Sequence, residues 1–444
     1  MSEHPSSNRS PRDRAEARRR TRKKKRITRL TLVIVVALLI VVAAVKLCMF
    51  AVSSVHSDPS KDSKKASADI GSAAVAEEPE KTYEPASVSL IAVGDNLIHN
   101  SVYEDAYVGN GEYDFTPMYE DIKPYVQAAD IAVINQESPL GTGPASGYPS
   151  FNTPQACGDA LIDAGFDVIS HANNHAMDSG ADAIYDTLDY WDSHADDGVI
   201  RIGIARDAED RANIRYLERN GMKIAFLAYT YDLNGYSLPS DNPDLVSLID
   251  KDTIAKELAA AKKKCDAVVV MMHWGIEYEL EENAEQDDLA EFLTENGATL
   301  IIGGHPHVVE PCKWVESENG NRAFCIYSTG NFISAQDTAA RIVEAMLQVT
   351  LTRKEDGSVV VENPGVMPLV CTSRNWRHFK VIPMDDYTSD MASAHTLAGR
   401  SDVSVSNVNH IADTVFGDYR IEKTIPTTYC KQESENTDKS QSNS

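Results

Sequence analysis

The segment ATLIIGGHPHVVEP, residues 298–311, joins a short apolar run to two histidines, His305 and His307, that lie one residue apart. The apolar run is typical of a buried strand, and the pair Gly303–Gly304 separates it from the histidines. A surface turn that merely contains histidines would give the same local pattern. Only the rest of the sequence distinguishes such a turn from a functional site.

Six other apolar runs of similar length are spread along the chain. Parallel strands that are covered on both faces have this composition. The runs are SVSLIAV (87–93), DIAVI (130–134), FDVIS (166–170), KIAFLAY (223–229), DAVVVMM (266–272) and FCIYS (324–328).

Helical patterns lie between several of these runs. Two of them end at glycines that suit a helix terminus, Gly165 and Gly297. Alternation of strands and helices predicts a layered α/β domain over about residues 87–385, followed by a C-terminal extension over 386–444 whose last residues are disordered. The helical patterns cover residues 155–164, 181–194, 253–264 and 284–296.

Polar side chains follow five of the predicted strands. In α/β sheets, ligands bind at the carboxyl ends of strands, so groups that are distant in sequence can meet there. Each position alone could be an ordinary turn or a core histidine, but five strand ends of this kind favour one shared site. The side chains are Asp95 and His99, Glu137, Asn174 and His175, His273, and His305 with His307.

The types of candidate ligand limit the metals that such a site would bind. Carboxylate and amide oxygens with neutral imidazoles suit Mn, Fe or Zn, and the absence of cysteine from these positions argues against a closed structural zinc site. Seven candidate ligands are enough for two divalent ions. A pair of ions bridged by a carboxylate activates water for in-line attack on phosphorus, and a histidine that is free of metal can protonate the leaving group.

Six motifs of the chain, in order, resemble the CapA family of bacterial poly-γ-glutamate capsule synthesis proteins. The resemblance covers about residues 87–340 and extends to VMPLV at 366–370. The motifs are VGDNLIHN (93–100), INQESPL (134–140), ANNHAMDSG (172–180), MHWGIEYE (272–279), GGHPHVVEP (303–311) and YSTGNFIS (327–334).

CapA proteins are similar in turn to calcineurin-like metallophosphatases, which implies a sandwich of two mixed sheets flanked by helices. The resemblance implies that Asp95 and His307 serve a first metal and that Glu137 bridges the two ions. It assigns Asn174, His273 and His305 to the second metal.

The resemblance also assigns roles around the metals. It makes His175 the acid for the leaving group, with Asp95 as the other catalytic residue. His99 departs from the phosphatase pattern, because it lies four residues after Asp95 rather than two. Glu277 and Asn331 are candidates to contact substrate, or alternatively ordinary hydrogen-bonded loop residues.

The N-terminal region predicts one membrane span. Residues 1–29 hold 12 Lys/Arg against 3 Asp/Glu, and residues 30–52 are apolar apart from Lys46, long enough to cross roughly 30 Å of hydrocarbon. The basic flank predicts a cytoplasmic N-terminus and an extracytoplasmic main domain, carried on a flexible stalk over 53–86. A cleaved signal peptide is the main alternative, and lipidation of Cys48 is a weaker one.

Charge excludes a nucleic-acid partner. With a net charge of +9 on residues 1–29, the remaining residues carry −34, so the main domain would repel a phosphate backbone. The partners expected are the membrane, an anionic polymer or phosphoester substrate, and other membrane subunits of capsule synthesis.

Cys312 and Cys325 flank a hairpin signal at Asn319–Gly320. A turn centred just before Asn319 would place the two cysteines opposite each other and allow a disulfide, whereas a turn on Asn319–Gly320 would pair Cys325 with Trp314 instead. Buried free thiols are the alternative to the disulfide.

Three functions remain open. The first is a membrane-anchored CapA-like protein for synthesis or export of a capsule polymer of the poly-γ-glutamate type, with a dinuclear metal site. The second is a free-standing cell-envelope hydrolase of phosphoesters or γ-linked amides. The third is a non-catalytic subunit that binds a polyanion or supports assembly.

Overall fold

The structure is a computed structural model and describes residues 83–426. The basic tail expected over 1–29, the membrane span expected over 30–52, most of the stalk expected over 53–86 and the polar C-terminal end lie outside the described residues. So do Cys48 and Cys430. Within residues 83–426, no helix combines the length and the apolarity that crossing a bilayer requires.

Sixteen strands and ten α-helices make up this part of the chain. The strands are β1 (Ala86–Asn96), β2 (Tyr107–Gly109), β3 (Glu112–Tyr113), β4 (Ile131–Gln136), β5 (Val168–Ser170), β6 (Ile200–Ile202), β7 (Arg215–Arg219), β8 (Met222–Thr230), β9 (Ala267–His273), β10 (Leu300–Gly304), β11 (Val309–Glu316), β12 (Arg322–Thr329), β13 (Asn331–Ile333), β14 (Val343–Arg353), β15 (Val359–Arg374) and β16 (Arg377–Pro383). The helices are α1 (Asn100–Ala106), α2 (Thr116–Tyr119), α3 (Lys123–Val126), α4 (Ala156–Ala164), α5 (Gly180–Ser193), α6 (Ala208–Ala212), α7 (Lys251–Ala261), α8 (Ala284–Glu295), α9 (Ser389–Ala394) and α10 (Val405–Phe416).

Two mixed sheets form the centre of the fold. The first has the order β16-β15-β14-β1-β4-β5-β6, with β13 also paired to β1; its β1, β4, β5 and β6 are parallel. The second has the order β11-β12-β10-β9-β8-β7, with parallel β8, β9, β10 and β12. The predicted sandwich of two mixed sheets with helices is therefore present.

Successive side chains of β9 point alternately into the core between the two sheets and into the core between the second sheet and its helices. Val269 and Met271 belong to the apolar cluster that also contains residues of β1 and β4, whereas Val268 and Val270 pack with α7 and α8. Successive strand residues point to opposite faces, so an entirely apolar strand fills both layers. This explains why DAVVVMM reads as one continuous apolar run.

All seven predicted runs and all four predicted helical patterns appear as strands and helices. Gly165 and Gly297 adopt the positive φ values of 102° and 96° that helix-terminating glycines use. Asn283 and Gln286 form a reciprocal capping box at the start of α8. Local signals therefore determine these boundaries within about three residues.

The packed core of the domain extends beyond residue 385, the predicted boundary. Val408, Ala412 and Phe416 of α10 are buried in the same apolar cluster as the first sheet. Beyond α10, the Ile421 N–H donates to the carbonyl of Val366 in β15 at 2.9 Å. Part of the extension expected over 386–444 thus completes the core.

Cys312 and Cys325 are buried free thiols, the alternative to the disulfide that one hairpin register would have allowed. The hairpin register pairs Lys313 with Cys325, one residue away from either expected register. Because of this offset the two sulfur atoms lie on opposite faces of the second sheet, Cys312 in the inner cluster and Cys325 in the outer one.

Candidate metal centre

The carboxyl ends of strands from both sheets meet at one edge of the sandwich. Asp95 and Glu137 lie at the ends of β1 and β4 in the first sheet, and His273 and His305 lie at the ends of β9 and β10 in the second. A hydrogen bond of 3.0 Å from the His305 N–H to Asp95 Oδ2 joins the two sheets here. The predicted convergence of the strand ends is thus observed.

Two groups of buried side chains have donor atoms close enough to hold a metal ion. The first is Glu137, His273 and His305; the second is Asp95, Glu137 and His307, with the ligand atoms of each group within 4.8 Å of one another. This grouping is the one that the resemblance implied. The presence of bound metal remains a prediction.

Glu137 belongs to both groups. Its Oε1 lies 3.3 Å from His273 Nε2, and its Oε2 lies 3.8 Å from His307 Nδ1. The two oxygens of one carboxylate thus face different histidines, as a ligand shared between two ions requires.

The residues present fit a pair of cations. Both Glu137 oxygens and His305 Nδ1 are buried, and none of these atoms has a hydrogen-bond partner. An ionised carboxylate without a donor is costly in a dry interior, and coordination to a metal removes that cost. These three atoms are the strongest structural sign of metal binding.

Burial shifts the pKa of every titratable side chain in the two ligand groups. It raises the pKa of Glu137 to about 8, and burial together with repulsion from Glu137 raises the pKa of Asp95 to about 7. Burial also lowers the pKa of His273 to about 4 and of His307 to about 3, and it lowers that of His305 further. The three imidazoles are therefore neutral at pH 7, which is the form that binds metal.

Gly303 and Gly304 are required by close contacts. A Cβ on Gly303 would lie 1.8 Å from the carbonyl oxygen of Tyr327, and one on Gly304 would lie 2.8 Å from Asp95 Oδ1. The next residues are strained, with φ of 98° at His305 and 59° at His307. Such strain is concentrated at functional sites, which favours a site over the alternative of a surface turn.

Asn174 and His175 follow β5 at the edge of the first group. Asn174 Oδ1 lies 2.9 Å from His273 Nε2, while its Nδ2 donates to Asn234 Oδ1 at 3.1 Å. The amide oxygen is therefore directed at the centre. The role of Asn174 as a metal ligand stays a prediction, and this position is compatible with it.

His175 is held by Asp178 through a contact of 2.7 Å between His175 Nδ1 and Asp178 Oδ2. Burial lowers the pKa of His175, but this hydrogen bond and the nearby Glu137 carboxylate outweigh burial and raise it overall. A histidine with a raised pKa that is outside both ligand groups suits the predicted acid.

His99 does not join either group. It precedes α1, where its Nδ1 accepts from the Ala335 N–H at 3.3 Å and its ring packs edge-on against Phe151. The two additional residues between Asp95 and His99 carry the ring past the strand end and into this packing. Its predicted place among the metal ligands is not supported by the structure.

The two candidates for substrate contact have different surroundings. Glu277 is exposed, yet its carboxylate lies near enough to raise the pKa of Glu137. Asn331 is fully buried, and its amide bonds His307 Nδ1 at 3.0 Å and the carbonyls of His307 and Arg341 at 3.1 Å. Asn331 is therefore a hydrogen-bonded residue behind His307, the alternative considered for it.

Sequence reasoning assigned no role to Asp178, Asn135, Tyr231 or Tyr278. Asn135 donates to Asp95 Oδ1 at 2.7 Å, and its spacing of two residues from Glu137 was a usable sign that both face the site. Asp178 lies three residues after His175, a spacing that was visible in ANNHAMDSG. The two tyrosines lie on loops, where no periodic signal exists.

The solved structures to which this chain shows similarity include two nucleotidases. The NAD nucleotidase of Haemophilus influenzae is 10% identical, with a TM-score of 0.43 over 80% of this chain and 68% of its own. A 5'-nucleotidase precursor from Thermus thermophilus is 13% identical, with a TM-score of 0.42 over 74% of this chain and 58% of its own.

Sequence relatives are closer. The PGA biosynthesis protein CapA of Bacillus subtilis (strain 168) is 31% identical over 284 residues, 62% of this chain and 71% of the relative. The capsule biosynthesis protein CapA of Bacillus anthracis is 28% identical over 302 residues, 66% of this chain and 69% of the relative. Residues 89–336, just over half of the chain, match the family described as "Bacterial capsule synthesis protein PGA_cap", and they contain every ligand of the two groups. The chain belongs to this family of bacterial capsule synthesis proteins.

Proposed function

We propose that this chain is a membrane-anchored, extracytoplasmic, CapA-like protein that takes part in the synthesis or export of a poly-γ-glutamate-type capsule polymer. We further propose that its buried site holds two divalent ions, Mn, Fe or Zn, and hydrolyses a phosphoester or a related bond during that process. Other membrane subunits of capsule synthesis are its expected partners. Family membership supports the role in capsule synthesis, the apolar segment 30–52 with its basic flank supports the membrane anchor, and the geometry of the site supports the second part.

The observation that carries the catalytic proposal is the position of Glu137. Glu137 is fully buried, no hydrogen bond reaches its oxygens, and each oxygen faces a different histidine; in the ionised form such a carboxylate is strongly stabilised by cations bound between it and the histidines. When bound, a pair of such ions supplies Lewis-acid activation of water and stabilises negative charge on the reacting group.

The chain's own residues have separate tasks. Glu137 and Asp95, with the histidines of the two groups, would hold the two ions at the joint edge of the two sheets, where the ions would bind the reacting group. Asn135 fixes the Asp95 carboxylate by donating to Oδ1. His175, oriented by Asp178, delivers a proton to the leaving group, and the buried position of both excludes bulk water from that transfer.

The test uses full-length protein in detergent, supplemented with Mn²⁺, with elemental analysis and hydrolysis of bis(p-nitrophenyl) phosphate as readouts. We expect about two ions per chain, and fewer in Glu137→Ala and His305→Ala. His175→Ala should keep its metal but lose roughly 10²–10⁴-fold in rate, the usual contribution of a general acid. His410→Ala, an exposed histidine on α10, is the matched control for both readouts.

Three results would each overturn part of the proposal. Absence of metal from folded, supplemented protein would remove the metal centre. Loss of metal in His175→Ala as severe as in Asp95→Ala would make His175 a ligand instead of the acid. Metal-loaded protein that hydrolyses neither the phosphodiester nor a γ-glutamyl polymer would leave the non-catalytic alternative, a device that binds a polyanion through its cations.

A further inference from the structure

Tyr278 stands over one histidine of the candidate metal centre. Its ring stacks on that of His307, with 6.1 Å between the ring centres. The backbone of Tyr278 has a φ of 72°, which is rare for a bulky residue, and its N–H donates to the carbonyl of Pro306 at 2.8 Å. A strained residue persists only where its surroundings hold it, and the ring is 44% exposed. Tyr278 is therefore a fixed aromatic face beside the centre that solvent can reach.

Arg341 packs on this aromatic face. Its guanidinium carbon lies 3.6 Å from the centre of the Tyr278 ring. Its backbone carbonyl accepts from Asn331 Nδ2 at 3.1 Å, and Asn331 Oδ1 lies 3.0 Å from His307 Nδ1. The side chain and the backbone of Arg341 are thus both tied to residues that contact His307. Because Arg341 lies outside residues 89–336, the span that matches the capsule family, family membership assigns it no role.

One edge of the Arg341 guanidinium is used, and the other is free within the described residues. Nη1 donates to Asp337 Oδ1 at 2.6 Å, whereas Nε and Nη2 donate no hydrogen bond to any residue of 83–426. The Asp337 side chain is 69% exposed, so water screens this ion pair and it neutralises Arg341 only weakly. The free edge presents two parallel N–H donors, the geometry that binds both oxygens of one carboxylate.

We propose that Arg341 binds a carboxylate of the substrate, next to the phosphate or acyl group that reacts at the metal centre. Arg341 is linked to His307 through the Tyr278 ring, so it suits a neighbouring group of the substrate and not the reacting group itself. A γ-linked glutamate polymer, which carries a carboxylate on every residue, meets this requirement. The inference rests on the proposed function, because it presumes that the reacting group is bound at the metal centre.

The test compares two ligands of nearly the same shape, 3-phosphonopropionate and its amide, 3-phosphonopropionamide. Both are phosphonates, whose P–C bond resists hydrolysis, and only the first carries a carboxylate. Calorimetry on full-length, Mn-loaded protein should give the carboxylate ligand a dissociation constant at least about tenfold lower. The charge of −34 on residues 30–444 opposes this preference, so it has to arise from local contacts.

A carboxylate also binds Mn²⁺ directly, so the decisive measurement is made on a variant. Arg341→Gln should keep its metal, by elemental analysis, and reduce the affinity ratio severalfold. Arg322→Gln is the matched control and should preserve the ratio. Arg322 likewise lies over an aromatic ring, 3.8 Å from the centre of Trp314, and pairs with the exposed Glu316, but it stands at the start of β12, away from the carboxyl ends of the strands.

Three results overturn the inference: equal affinity for the two ligands in the wild type, an equal loss of the ratio in both variants, and loss of metal in Arg341→Gln. The proposed hydrolysis is judged separately on the same preparation. If the ratio depends on Arg341 but bis(p-nitrophenyl) phosphate and a γ-glutamyl polymer are not hydrolysed, the hydrolase proposal fails and the role of Arg341 stands. If hydrolysis occurs while the ratio is unchanged in Arg341→Gln, the hydrolase proposal stands and this inference fails.

Discussion

Asp178 determines how His175 can serve as an acid. It accepts a hydrogen bond from His175 Nδ1 at 2.7 Å and another from the N–H of Phe151 at 3.0 Å. The backbone of Phe151 therefore holds the Asp178 carboxylate in place, and the carboxylate in turn orients the imidazole of His175. In the proposed reaction, the other ring nitrogen of His175, Nε2, would donate the proton to the substrate. Asp178 is therefore a positioning residue that acts through His175.

Replacing Asp178 with Asn should change the pH dependence of turnover. Asp178 helps to raise the pKa of His175, so its loss lowers that pKa and deprotonates the acid at a lower pH. The alkaline limb of the kcat profile should move to lower pH, while metal content remains near the wild-type value. A profile with an unchanged alkaline limb would mean that a group other than His175 supplies the proton.

The two buried carboxylates make the metal-free protein sensitive to alkali. The pKa of Asp95 is raised from 3.8 to about 7 and that of Glu137 from 4.5 to about 8. A raised acid pKa favours folding fully below its unfolded value and loses that contribution as pH rises through the folded value. Chelated protein should thus lose stability as the pH rises between about pH 4 and pH 8.

Urea unfolding of chelator-treated protein across this range measures the effect. Asp95→Asn should flatten the curve, because the amide does not titrate. Mn-loaded protein should gain stability over the same interval, since the ion binds the ionised forms. Stability of the metal-free protein that rises with pH would show that the carboxylates are already paired with another charge.

Individual site residues were predictable where a strand placed them. Asp95, Glu137, His273, His305 and His307 directly follow or end apolar runs, and geometry at the ends of parallel strands brings them together. Asp178, Asn234, Tyr231 and Tyr278 lie on loops whose path depends on tertiary packing. The position of His99 likewise depends on the turn after β1, and its role as a metal ligand stays a prediction.

At the scale of elements, the turn between β10 and β11 depends on Gly303. A Cβ there would collide with backbone of β12, which has no freedom to move within the sheet. Gly303→Ala should lower the free energy of unfolding by more than about 3 kcal/mol, the upper end of ordinary overpacking. Thermal unfolding monitored by circular dichroism gives the measurement.

Gly143→Ala is the control for that substitution. Its Cβ would meet the Nδ2 atom of Asn152 at 3.3 Å and no backbone atom of a non-adjacent residue within 4 Å. We expect a change below about 1 kcal/mol. Similar losses for both variants would show that general loss of glycine flexibility, and not the contact with Tyr327, causes the effect at Gly303.

The antiparallel half of the first sheet was the least predictable element. β14 carries the buried polar residues Glu344 and Gln348, which interrupt its apolar character. β15 contains Asn363-Pro364-Gly365, a sequence typical of a turn, but the structure uses it for a bulge where the register against β14 shifts. The parallel strands were recognised because burial on both faces leaves them continuously apolar.

At the scale of the whole molecule, the orientation across the membrane remains a prediction. A cysteine introduced within residues 53–82 should react with a membrane-impermeant thiol reagent in intact cells, and one introduced near Ser10 should not, because the basic flank retains the N-terminus inside. A Cys48→Ser, Cys430→Ser background removes two native thiols that would confuse the labelling. Labelling at Ser10 would reverse the orientation, and release of the domain into the medium would favour a cleaved signal.

The hydrogen bond from His305 to Asp95 crosses between sheets, and it joins residues that are 210 positions apart in the chain. The two ligand groups cross the same boundary, since Glu137 and Asp95 come from one sheet and the histidines from the other. Ions held there would act as a clasp, because the sheets could not separate before the coordination bonds broke. Under the proposed extracytoplasmic location, the atoms that we assign to the chemistry would also slow unfolding and so protect the chain from proteases of the cell envelope.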